Sequence, residues 1–210
     1  MSKIYTVAKQ CFICNHISEH GAVGSTSAFG AMDLDTRPPA LARHTMGQWI
    51  QICPHCGYVS DDLSREASIY PEMVFSEAYK TTDGYELPTL ATAFYRHAMI
   101  AHAEKNAERE FFAYLHAAWA CDDAQDAENA VMCRLAALRV LDDHPAGSII
   151  PDDGSHAIVR ADLLRRTGQF DAVKQYKGRR TEDAFLYHIL QYQVKLAQQQ
   201  DDRCHTVDEA

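Results

Sequence analysis

The chain has 210 residues, 47% of them hydrophobic and 23% charged, which allows one domain or two small ones and excludes a disordered or fibrous chain. Lys plus Arg number 20 against 29 Asp plus Glu, a formal charge of −9, and such a surface repels phosphate backbones and anionic headgroups. Broad adhesion to nucleic acid or membrane is therefore not expected.

The first ten residues, Met1 to Gln10, lack the apolar core of a signal peptide, and no stretch reaches the roughly 18 uninterrupted apolar residues that a bilayer span requires. The cysteines number seven, and an odd set fits a reducing compartment better than a disulfide framework. The expectation is a soluble cytoplasmic protein with no membrane partner.

Four of these cysteines form two pairs, Cys11-Phe-Ile-Cys14 and Cys53-Pro-His-Cys56, the second followed by Gly57. Each spacing suits a knuckle, a tight turn that aims two thiolates at one ion. Two knuckles give a tetrahedral four-sulfur site, which suits structural Zn2+ because no coordination position is left for substrate. Pro54 presets a turn torsion, and Gly57 allows the positive φ needed just past a knuckle. The 38 residues between Cys14 and Cys53 exceed the usual separation of about 15 to 20, so a long insertion is expected to loop out. Alternatives at this point are independent redox pairs, an iron–sulfur cluster, or replacement of one thiolate by His16, His20 or His55.

Within the insertion, Asp33 and Asp35 stand two apart with Arg37 in phase. In an extended stretch the three share one side, which predicts a carboxylate–guanidinium lock or, alternatively, a recognition site for a small ligand or peptide terminus. Arg43 follows, and Trp49 is expected to pack beneath the loop.

Residues 1–60 are read as a zinc-ribbon-like module and residues 61–210 as an acidic helical domain. Apolar residues recur three and four apart in four stripes there: Leu90, Phe94, Ala98 and Ala101; Phe112, Leu115 and Trp119; Ala127, Val131, Leu135, Leu138 and Leu141; Phe185, Ile189, Tyr192 and Leu196. Asn106 and Thr181 are the expected N-caps of the second and fourth helices. Pro71, Gly84, Pro88, Pro145, Gly147, Pro151, Gly154 and Gly168 separate the segments. The stretch from Ala161 through Gly168 to Tyr176 resembles a tetratricopeptide-repeat turn, and Leu87 to Gln200 has room for roughly three helical pairs. The fold class predicted is mainly α, a small ribbon followed by tetratricopeptide-like antiparallel hairpins. His97 and His102, five apart, lie about 140° from each other around a helix and are assigned to solvated faces. Cys121 and Cys133 are assigned to the core, the paired aspartates such as Asp122-Asp123 to caps and turns, and the acidic tail to a frayed end.

Ser25 to Pro39, Arg43 to Ile52, and the Cys53-Pro-His-Cys56-Gly57-Tyr58 that follows carry Phe29-Gly30, Asp33-Leu-Asp35-Thr-Arg37-Pro38 and Trp49-Ile-Gln elements. This string resembles a bacterial family, catalogued as a domain of unknown function, in which a two-knuckle ribbon precedes tetratricopeptide-like helices. The resemblance implies that architecture and the ligands Cys11, Cys14, Cys53 and Cys56, and it brings no activity. Signatures of zinc peptidases, phosphate-binding loops, dinucleotide folds and serine hydrolases do not occur. The expected function is protein–protein interaction through the loop or the helical surface. A nucleic-acid-binding ribbon is one alternative, disfavoured by the near-neutral charge of residues 1–60; an enzyme using Asp33, Asp35, Arg37, Arg43 and His44 is the other.

Overall fold

The computed structural model describes residues 2–181 and 183–210. Its first elements are the strands β1 (Lys3–Gln10) and β2 (Ile17–Ser25), which flank the first cysteine knuckle and pair antiparallel from Gln10↔Ile17 outward to Lys3↔Ser25, with a bulge at Lys3/Ile4. The second knuckle lies between β3 (Gln51–Ile52) and β4 (Val59–Ser60), paired Gln51↔Ser60 and Ile52↔Val59. The long insertion is thus no free loop: β2 continues straight out of the first knuckle, and a short helix α1 (Ala40–Arg43) precedes β3. Two short helices, α2 (Glu72–Phe75) and α3 (Glu77–Thr81), lead to the helical part, α4 (Thr89–Ala103), α5 (Ala107–Asp123), α6 (Ala127–Asp142), α7 (Ser155–Arg166), α8 (Phe170–Lys174) and α9 (Ala184–Gln198).

Three-residue connections reverse the chain between α4 and α5 and again between α5 and α6, so these pack as antiparallel neighbours; α7 lies against α6 and α9, and α8 against α9. The cause is visible at the helix ends. At Lys105 (φ 56°) and Gln125 (φ 60°) the chain turns left-handed, and the following residue bonds five back: Asn106 N–H to Ala101 O at 2.9 Å, Asp126 N–H to Cys121 O at 2.9 Å. With the inner bonds from Lys105 to His102 and from Gln125 to Asp122, each end is a Schellman motif, repeated at Gly168 and Gln200. Asn106 and Asp126 then cap the next helix at once, accepting from Arg109 N–H (3.0 Å) and Asn129 N–H (3.2 Å). Glycine fills this left-handed slot at Gly168 alone, so punctuation by glycine and proline misses the other three ends.

Several expectations need correction. The cap of α9 is Asp183, whose carboxylate accepts from Phe185 N–H at 2.6 Å, while the Thr181 hydroxyl donates to the Asp183 carbonyl; a carboxylate accepts two N–H groups and meets the positive helix end. On α6 the buried face is Ala130, Cys133, Ala137, Leu138 and Leu141, while Ala127, Val131 and Leu135 are exposed. Small residues let α5 and α6 approach closely, and a stripe chosen by side-chain size selects the wrong face. His97 is buried, because α4 is covered by both α5 and the ribbon strand β4; His102 is exposed as expected. The repeat-like turn at Gly168 leads only into the five residues of α8. Nor is the tail frayed: Leu34 N–H bonds His205 O at 2.9 Å and Val207 N–H bonds Met32 O at 3.0 Å, around an Asp33↔Thr206 bridge.

One apolar core runs through both halves. Leu34, Met46, Ile50, Tyr58 and Leu63 from the ribbon side join Phe94, Phe111, Leu115, Trp119, Leu141 and Leu163 from the helices, and Cys121 and Cys133 are buried within it. Tyr79 stitches the join, donating its hydroxyl to Gly57 O and accepting from Val59 N–H, both at 3.1 Å. Among the described residues no helix is long and apolar enough to cross a membrane.

Candidate metal centre

The two knuckles are built alike. Cys11 N–H bonds His16 O (2.9 Å) and Asn15 N–H returns to Cys11 O (2.8 Å); Cys53 N–H bonds Tyr58 O (2.8 Å) and Gly57 N–H returns to Cys53 O (2.9 Å). The residue after each second cysteine is left-handed, Asn15 at φ 59° and Gly57 at φ 76°. Asparagine tolerates that region best among side-chain-bearing residues, which explains why only one knuckle has glycine there.

The strands bring these turns face to face, so that all four Sγ atoms lie within 4.8 Å of one another, with Cys11–Cys56 at 3.7 Å and Cys14–Cys53 at 3.5 Å. A tetrahedral ion with metal–sulfur bonds of about 2.3 Å has sulfur–sulfur edges of about 3.8 Å, so the spacing matches one ion held by four thiolates. Among the described residues the cluster consists of cysteines only. His16 and His55 stack on each other at 5.4 Å between ring centroids, and His20 bonds the Ser18 hydroxyl at 2.8 Å. Burial raises the thiols of Cys11 and Cys56; it acts on Cys53 too, yet there the N–H groups of Cys56 and His55 outweigh it and hold the thiol below its ordinary value. Bound metal adds a further stabilisation of all four thiolates.

The insertion residues expected to act together are distributed among different partners. Thr36 is left-handed (φ 73°), with Thr36 N–H bonded to Asp33 O and Asp33 N–H to Arg37 O, so the segment is a tight turn and the two-residue alternation of an extended stretch does not apply. Asp33 accepts from Arg43 at 2.7 Å. Arg37 reaches Asp123 on α5 at 2.5 Å, its guanidinium 6.0 Å from the Trp119 ring centre. Asp35, 1% exposed, accepts Trp119 Nε1–H at 2.7 Å and lies 4.0 Å from Arg134. Trp49 is half-buried, donates to the Thr45 hydroxyl at 2.9 Å and sets its ring against His116.

Around Asp35 stands a buried ionic network. Asp122 accepts from Arg134 and from Arg166, whose nearer nitrogen is 3.1 Å away, and these two guanidinium groups hold its carboxyl below the usual range against the opposing effect of burial. Arg165, fully buried, donates to Asp162 (2.5 Å), Gln193 (2.8 Å) and the carbonyls of Asp201 (2.9 Å) and Arg203 (2.6 Å). Burial, reinforced by Asp162, pushes Asp35 up to about 6 despite Arg134. Asp122, Arg134 and Arg165 stood in the sequence as a capping doublet and two helix-face arginines. The only available signal was that both arginines fall among apolar residues at helical spacing. The network fastens the insertion to α5, α6 and α7, and its carboxylates and guanidinium groups face one another.

Comparison of the chain with protein-family models, with curated proteins and with solved structures finds no match.

Proposed function

We propose that Cys11, Cys14, Cys53 and Cys56 hold one structural Zn2+ and that the protein is a cytoplasmic interaction module, a zinc-stapled ribbon docked on tetratricopeptide-like hairpins that binds another protein. The observation that carries the reading is the free edge of the β1–β2 hairpin, which also carries exposed apolar side chains at both ends and on both faces. Ile4, Tyr5 and Ile17 are each more than half exposed, although the module has a core that similar side chains enter. β2 lies against the turn at Met46–Gln48, whereas β1 pairs with β2 alone among the described elements and offers a free strand edge. α5, its three-residue turn and α6, ending shortly before Pro145, support the repeat-like reading better than the segment around Gly168.

The sulfur spacing favours one ion over an iron–sulfur cluster, and zinc is the usual ion of closed structural four-thiolate sites. The enzyme alternative loses ground because Asp33, Asp35, Arg37 and Arg43 are all engaged in pairs that hold the loop.

Two measurements test the reading. Elemental analysis is expected to give one zinc per chain, lost together with thermal stability in a Cys53→Ser, Cys56→Ser variant; a metal-free wild type, or an equally stable variant, defeats the staple. Affinity capture is expected to recover a reproducible partner with wild type and to lose it with Ile4→Ser, Ile17→Ser. Recovery by neither protein, or equally by both, defeats the interaction surface.

A further inference from the structure

The connection from α3 to α4 takes a strained path. Thr82 and Asp83 are consecutive left-handed residues, φ 52° and 54°, a conformation that non-glycine side chains disfavour by about 1 kcal/mol or more each. Thr82 is buried, and its hydroxyl donates to the Tyr85 carbonyl at 2.6 Å, which holds the bend. The result sets the Asp83 carboxylate 3.3 Å from the Tyr95 hydroxyl that donates to it, and carries the Tyr85 ring over α4.

Three tyrosines meet there from separate elements. Tyr95 of α4 lies 5.8 Å from Tyr85 with planes inclined at 58°, and 5.3 Å from Tyr114 of α5 with planes inclined at 72°. Tyr85 and Tyr114 each pack on Tyr95, which is buried, while Tyr85 is exposed and Tyr114 partly so. They border a cleft of about 540 Å³, also lined by Glu128 and Arg139 of α6, a volume in the range of small-molecule sites. The cleft thus carries two carboxylates, Asp83 and Glu128, against one guanidinium; an adjoining cleft shares Asp83, Tyr114 and Arg139 and adds Asp143 and Glu110, the latter paired with His102 at 3.0 Å. Their field is felt by the rings. Burial pushes Tyr114 up to about 12, with Glu110 and Asp83 adding to the rise. Arg139 is exposed, in no ion pair and over no aromatic ring among the described residues.

We propose that Tyr85, Tyr95, Tyr114 and Asp83 form a binding site for a substituted ammonium cation of trimethylammonium size, the rings supplying cation–π faces and the aspartate a counter-charge. A weakly hydrated alkylammonium gains from electron-rich ring faces and from a nearby carboxylate, whereas an anion meets the carboxylates of Asp83 and Glu128. Arg139 opposes the ligand by its charge. The site stands on helices and a turn that contribute nothing to the cysteine centre, and it holds whether or not the interaction reading above does.

The test is titration of the full-length protein with choline and, in parallel, with its uncharged isostere 3,3-dimethylbutan-1-ol, followed by calorimetry and by tyrosine ring resonances. Choline is expected to bind saturably and about ten-fold or more tighter than the isostere, as ring–cation attraction requires. Asp83→Asn and Tyr85→Leu, at exposed positions, are expected to weaken choline several-fold with unchanged melting, and Arg139→Ala to strengthen it. A peptide carrying trimethyl-lysine, compared with its unmethylated form and with choline, distinguishes a side chain of a partner from a free metabolite as the source of the cation. Absence of choline binding, equal binding of the isostere, or loss of binding in Arg139→Ala overturns the proposal.

Discussion

Replacing His116 by phenylalanine will remove about half of the acid sensitivity that His97 and His116 together give this protein. The imidazole is ringed by Trp49, Phe94, Phe112 and Trp119 at centroid distances of 5.3, 5.2, 6.3 and 4.9 Å, and it has no hydrogen-bond partner among the described residues. Burial holds it down to about 4, with His97 adding to the fall, and burial likewise holds His97 down to about 4. In the unfolded chain both protonate near the ordinary value of about 6.5. A depressed pKa means stability that is present above about 6.5 and lost as pH falls toward 4. Taking 6.5 unfolded and 4 folded, each histidine costs about 2 kcal/mol at pH 5 and almost nothing at neutrality. Asp35 works the other way: raised to about 6, its contribution is full below the unfolded value and lost as pH rises through 6, which returns about 1 kcal/mol on acidification to pH 5. The wild type is therefore expected to lose roughly 2 to 3 kcal/mol between pH 7 and 5 through these three groups, and His116→Phe to recover about 2 of them. At neutral pH the variant should lie within about 1.5 kcal/mol of wild type, because a ring replaces a ring. Urea unfolding of both proteins at the two pH values, read from midpoints at constant slope, measures this directly. Thiolate protonation at the cysteine centre weakens both proteins alike and cancels in the comparison. Parallel pH dependences for the two proteins would refute a partly buried His116 held neutral by its aromatic surroundings.

Other perturbations follow from the helix ends and the buried network. Lys105→Gly and Gln125→Gly, each placing glycine in a left-handed slot, should raise stability by about 0.5 to 1 kcal/mol apiece, visible as an upward shift in thermal midpoint. Trp119→Phe withdraws the only side-chain donor that Asp35 has within 3 Å among the described residues and should cost about 1 to 3 kcal/mol at neutral pH, shrinking on acidification as the carboxyl protonates. Deleting residues 201–210 takes two carbonyl acceptors from the fully buried Arg165, and should lower stability by several kcal/mol by denaturant titration; an unaffected midpoint would mean the tail is dispensable.

What the sequence discloses differs by residue. The cysteine spacing fixes a local turn, and local turns obey φ/ψ rules that a reader can apply, so Cys11, Cys14, Cys53 and Cys56 could be named together before any coordinates. Asn106 was legible as a cap for the same reason. The partners of Asp33, Asp35 and Arg37 were not, because pairing was inferred from strand alternation and Thr36 reverses the chain. Arg37 finds Asp123, 86 residues away, and no local rule reports a contact of that span. The buried face of α6 was misread because close helix packing selects alanine and cysteine over leucine, the reverse of a ranking by hydrophobic size.

The Asp33↔Thr206 bridge has a consequence for how the chain is made. During vectorial synthesis the two knuckles emerge before the helices α2 to α9, and four thiolates within 46 residues can close on an ion while those helices are still unmade. The insertion between them cannot settle then, because its backbone partners at His205 and Val207 are translated only after all the helices. Metal capture and settling of the insertion are thus separated in time by the synthesis of every helix from α2 to α9, and the ribbon must keep its own shape until His205 and Val207 arrive to hold it.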